Sequence, residues 1–161
     1  MVKLFPILLL VGCASGLDGA ASDAPLDHEY FRCNVQPVLA ARCSYPACHG
    51  SALRPLSLYA PGRMRYGVSW DRPKEPMTMT ELDMNFAVAG GFTSASPAGE
   101  PLLLAKPLDT SAGGYYHRGA DLYTAGDVFM TKDDPGYQML ASWIAGASAA
   151  ATCQPTTEVG P

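Results

Sequence analysis

The chain has 161 residues, of which 48% are hydrophobic and only 16% charged, with a formal net charge of −4. That length suits one domain with a sizeable core, and the acidic balance, without a basic patch to neutralise phosphates, argues against a nucleic-acid partner. Sixteen glycines and fourteen prolines point to a loop-rich fold, and five cysteines, an odd number, leave one thiol to explain in an exported chain.

Residues 1–12 read as an export signal. Lys3 supplies the positive charge, and Leu4 to Val11 form an apolar run broken only by Pro6. Such a run spans about 12 Å as a helix, far short of a membrane core of roughly 30 Å, so it is not a transmembrane anchor. It ends in Leu10-Val11-Gly12-Cys13, which resembles the lipobox of bacterial lipoproteins. The resemblance implies cleavage before Cys13, lipid on that thiol, and anchoring in a bacterial cell envelope, on the periplasmic or outer-membrane face. An ordinary signal peptide cut nearby, with Cys13 incidental, is the alternative. Residues 13–26 are small and polar and read as a flexible tether. The folded domain is expected over 27–153, with a polar tail at 154–161.

Asp27 is in place to cap a helix running to about Arg42. Phe31, Val35, Val38 and Leu39 fall at helical spacings along it. Pro37 predicts a kink or a break after Gln36. Directly beyond comes Cys43-Ser44-Tyr45-Pro46-Ala47-Cys48-His49-Gly50. Two cysteines followed at once by histidine is the arrangement that covalent c-type haem needs: each thiol adds across one vinyl group, and the adjacent histidine ligates iron. Four residues separate the cysteines where two are usual, a longer form known among multihaem cytochromes. Two other readings of these residues stand beside it. One is a local Cys43–Cys48 disulfide with His49 on the surface, favoured by a turn at Pro46. The other is a zinc site of Cys43, Cys48, His49 and one further ligand.

Loops at 50–79, 91–100 and 109–133 separate two further helices. Thr80 and Asp83 read as a capping box, and Gly90-Gly91 closes the helix they open. Asp134-Pro135 sets a cap before proline at the first helical position, and Tyr137, Leu140, Ala141 and Ile144 share one face of a helix ending at Gly146. Val128 to Met130 is a candidate short extended piece; no segment alternates with period two. The expected fold is mainly α: three main helices with long Pro- and Gly-rich loops. No Ser/His/Asp order, phosphate loop or paired-carboxylate motif supports a hydrolase, and no catalytic residue is assigned.

The wider pattern adds a resemblance. Asn34 to Leu39, Arg42-Cys43 and Cys48-His49-Gly50 are followed by Pro101 to Leu108, Gly113-Gly114, His117, Asp134 to Tyr137 and Trp143 to Ala147. Together they resemble the cytochrome c-like domains of myxobacterial and planctomycete exported proteins. Residues 60–80 are unmatched, and the chain reads His-Arg-Gly-Ala at 117–120, where a run of glycines is expected after the histidine. The resemblance implies a cytochrome c-like fold in which the first helix crosses the last, with one haem c between them and the loops. Cys43, Cys48 and His49 would hold that haem. The activity implied is electron transfer with a redox protein partner of the envelope, an acidic surface suiting a basic partner patch.

For the sixth iron position His117, in its Gly-rich loop, is the first candidate, with Met130, Met77 or Met79 as alternatives. Bis-histidine ligation gives the lower potential. An open sixth position would point instead to a peroxidase-like or sensing role. If the first and last helices cross, Cys33 and Cys153 meet in a disulfide. The competing class is a haem-free envelope lipoprotein with a structural or binding role and a Cys43–Cys48 disulfide.

Overall fold

The first helix begins where a carboxylate can take up its orphan amides: Asp27 Oδ1 accepts from Tyr30 N at 2.6 Å. In the computed structural model, residues 25–96, 99–118 and 126–149 are described. α1 (His28–Tyr30) runs into a π-helical stretch (Phe31–Val35) and then α2 (Gln36–Arg42). Pro37 has no N–H to give the Cys33 carbonyl, which a plain α-helix would require of it. The chain widens one turn ahead of the proline, with Gln36 N reaching back to Phe31 O. A π stretch thus stands just ahead of the point of the expected kink or break, and the run stays helical to Arg42.

α3 (Met79–Gly90) is capped by Thr78, two residues earlier than the sequence suggested. Thr78 Oγ1 accepts from Glu81 N at 3.2 Å, and Glu81 Oε2 accepts from Thr78 N at 2.9 Å. Both Thr78/Glu81 and Thr80/Asp83 satisfy the box in sequence; the longer glutamate reaches back to the cap amide, and Asp83 pairs instead with His28 at 2.9 Å. α4 (Leu102–Ala105) is too short to carry a periodic signal, and a 3₁₀ turn follows at Thr110–Ala112. α5 (Pro135–Ile144) starts as expected, with Asp134 Oδ1 accepting from Gly136 N at 2.7 Å. Gly146 takes the left-handed φ of 88° after its end.

The described residues are mainly helical and contain no strand, only isolated bridges at Ala95/Pro101 and Leu108/Phe129. α5 and α3 both pack on the π stretch. Phe31 and Trp143 are fully buried, with ring centres 5.0 Å apart, and Phe86 closes the cluster at 5.4 and 5.7 Å. Trp143 Nε1 donates to Asp27 O at 3.0 Å, tying the cap of the first helix to the last helix. Cys33, on the same π stretch, is disulfide-bonded; its expected partner Cys153 lies outside the described residues. So do Cys13, the export signal, most of the tether and the tail. No helix among the described residues is long and apolar enough to cross a membrane.

The loop after residue 50 has no periodicity to announce it and is organised by one ion pair. Arg65 and Glu81, both buried, meet through two bonds of 2.8 and 2.9 Å. Burial raises the Glu81 carboxyl, but the Arg65 bond, backbone bonds from Thr78 and Tyr66, and the Arg65 charge together bring it below its ordinary value.

Candidate functional site

α2 hands the chain directly to the two cysteines. Cys43 caps the helix with its N–H on Leu39 O at 3.0 Å, and Ser44 Oγ donates to Ala40 O at 2.7 Å. The intervening residues then fold into a closed turn: Cys48 N and Gly50 N both reach Tyr45 O, at 2.8 and 2.9 Å, and His49 N reaches Cys43 O at 3.0 Å. The longer spacing is thereby taken up locally. Gly50 is required, since a Cβ there would stand 2.0 Å from Ser44 O.

Cys43 is buried, Cys48 is partly buried, and both are free thiols. Burial first, then the neighbouring Cys48, pushes the Cys43 thiol up to about 12 against the opposing charge of Arg42. Burial likewise raises Cys48, opposed by Arg54 and Arg63. Both are neutral groups. The zinc reading gains no support: among the described residues no group of three or more His, Cys, Asp or Glu is placed to hold a metal ion.

His49 Nδ1 donates to Leu56 O at 2.8 Å, which leaves Nε2 with the free lone pair. Burial, and more weakly His117 and Arg54, lower its basicity, while the Leu56 bond opposes them; the ring is held towards the neutral form that ligates metals. His117 reaches the same cavity because the chain doubles back after α4. Gly113 adopts φ 93°, and Gly114 passes so close to Leu108 that a Cβ would stand 1.7 Å from its carbonyl oxygen. Tyr115 N then bonds Ala105 O at 2.8 Å. His117 Nδ1 donates to Asp127 Oδ1 at 3.1 Å, again leaving Nε2 free.

The two rings are parallel to within 9°, with centres 6.1 Å apart. Two metal–imidazole bonds of about 2.0 Å, plus about 1.1 Å from each ring centre to its nitrogen, require a spacing of about 6.2 Å for one metal held between two histidines.

Both rings line a cavity of about 620 Å³, a volume typical of sites for cofactor-sized ligands. Its walls include Leu39, Leu56, Phe92, Leu103, Val128 and Leu140, and both cysteines open onto it. Among the described residues the charged lining is cationic: Arg42, Arg54, Lys106 and Arg118. Arg42 is fixed by Asp134 at 2.8 Å and lies over the Phe129 ring. Lys106 donates to Tyr116 O at 3.2 Å. A large apolar disc with two carboxylate tails, two vinyl groups and a central metal fits this set of partners: apolar walls, cations, thiols and paired imidazoles.

None of the three candidate methionines reaches the cavity wall. Met77 Sδ accepts from Gln36 Nε2 at 2.9 Å, while Met79 and Met130 are exposed. His28 pairs with Asp83 and lies against Phe86 with the rings tilted by 57°, and it is not among the cavity's lining residues. Asp127 and Arg54 go unmentioned in the sequence reading, and Arg42, Lys106 and Arg118 stand there within motifs without a role at the site. A comparison of the chain with protein families, curated proteins and solved structures finds no match in any of the three.

Proposed function

We propose that the chain is a membrane-tethered c-type cytochrome domain that carries electrons on one covalent haem. Cys43 and Cys48 would bind it through thioethers, and His49 and His117 would ligate the iron. The single observation that carries this reading is the pair of parallel imidazoles, 6.1 Å apart, each with Nδ1 already committed.

The haem, when bound, supplies a one-electron ferric/ferrous couple. The chain's own groups do the rest. Cys43 and Cys48 would hold the haem as neutral thioethers, which suits a site where Cys43 is buried and uncharged. Leu56 O and Asp127 orient the two imidazoles. The apolar walls exclude water, and Arg54, Lys106 and Arg118 provide charge-assisted partners for carboxylate tails. Two nitrogen ligands favour a lower potential than a histidine–methionine pair would give. Electrons would pass to a redox protein partner in the bacterial envelope, with lipid on Cys13 keeping the domain at the membrane.

Expression of the full chain in a host with haem-c maturation machinery tests the reading. The purified protein should show Soret and α bands that survive acid-acetone extraction. A colourless product with Cys43 joined to Cys48 would overturn it in favour of a haem-free lipoprotein.

A further inference from the structure

We propose that Asp127 is the positioning residue that sets the reduction potential of this site, acting through His117. The proposal rests on the bis-histidine reading above.

The two ligand candidates have unlike supports. His49 donates to a neutral backbone carbonyl, that of Leu56. His117 donates to a carboxylate whose side chain is 1% exposed. Asp127 Oδ1 takes two donors, His117 Nδ1 at 3.1 Å and Val128 N at 2.7 Å. Its Oδ2 is buried and has no hydrogen-bond partner among the described residues. Burying a carboxylate without filling its acceptors is costly, so such a group points to a role beyond packing.

The backbone just after it is pinned: Phe129 N bonds Pro107 O and Asp109 N bonds Phe129 O, both at 2.8 Å, in the Leu108/Phe129 bridge, and Val128 N holds Oδ1 itself at 2.7 Å.

Two effects then act in the same direction. A carboxylate accepting the Nδ1 proton makes the imidazole a stronger electron donor through Nε2. A fixed negative charge in a water-poor site also favours the oxidised iron, which carries one more positive charge than the reduced form. Both lower the potential. Leu56 O can do the first only weakly and the second not at all, so the couple is tuned from the His117 side.

The test uses holoprotein of the full chain and its D127N and D127E variants, read by redox titration and low-temperature EPR. The amide oxygen introduced by D127N can still accept from His117 Nδ1 but carries no charge. D127N should keep a low-spin bis-imidazole spectrum while its ferric/ferrous equilibrium shifts about tenfold towards ferrous, a rise of about 59 mV for one electron. D127E should return most of that shift. An unchanged potential in D127N with an intact bis-imidazole spectrum overturns the proposal alone. A colourless wild type, or one with a methionine-ligation band, overturns the underlying reading and this proposal with it.

If D127N does not fold, wild type still decides. Redox-difference infrared spectra of protein labelled with ¹³C-aspartate should contain a carboxylate band that responds to the iron. Its absence overturns the proposal.

Discussion

Which nitrogen of an imidazole is free depends on what the other one touches. At His49 and His117 the answer is the same, Nδ1 being tied in both, though the partners differ in charge. On the proposed reading the two histidines have separable roles. His49 is fixed next to the thioether cysteines, and His117 arrives on a distant loop. His117→Ala should therefore keep covalent haem but lose the sixth ligand. The expected outcome is a low-spin to high-spin change in the absorption spectrum, reversed by added imidazole. A spectrum unaffected by the substitution would remove His117 from the iron. The sequence singled out both histidines but not Asp127. A carboxylate in a Gly-rich loop has the composition of a solvated turn, and only the pairing of residues 107–109 with Phe129 makes it buried.

At the level of elements, the legible features were those encoded within a few residues. The caps at Asp27 and Asp134 and the glycine ending the last helix are local chemistry and stand where the spacing put them. The start of α3 was ambiguous, because Thr78/Glu81 and Thr80/Asp83 share one pattern; the distant Arg65 adds two bonds to Glu81. Removing one partner from such a buried pair costs about 3–5 kcal/mol, so Glu81→Gln should lower unfolding free energy by roughly that amount in urea titrations near neutral pH. The Glu81 carboxyl lies below its ordinary 4.5 in the fold. Its stabilisation is therefore complete above about that value and fades as pH falls through the folded one. Glu81→Gln should flatten the acid limb of stability against pH. Gly114→Ala tests a second element. Its Cβ would collide with the Leu108 carbonyl, so the loop must shift; on the proposed reading, low-spin ligation should be lost while thioether attachment persists.

For the molecule as a whole, the cavity is a product of chain closure. Its lining comes from residues 39–56, 92–118 and 128–140, segments that no local pattern brings together. What holds them is the contact between the first and last helices, where Trp143 is buried against Phe31 and donates to Asp27 O. Trp143→Phe trims the ring and removes one of the two bonds to Asp27 O, which keeps Phe31 N at 3.1 Å. The lost bond is worth about 0.5–1.5 kcal/mol, and the lost ring packing adds to it. It should lower Tm by several degrees in a thermal melt. Charge is distributed unevenly as well: the chain has a formal net charge of −4, yet the charged residues lining the cavity among the described ones are Arg42, Arg54, Lys106 and Arg118.

The Arg65 guanidinium gathers the carbonyls of Pro73, Glu75 and Pro76, at 2.8, 2.8 and 3.0 Å, while Glu81 takes the Tyr66 amide at 2.8 Å. A segment with neither helix nor strand is thus wired to the start of α3. Its opening and that of the core become one event, and the Tyr66 amide should take up deuterium as slowly as the centre of α5. Rapid uptake at Tyr66 under native conditions would show that the clamp opens on its own.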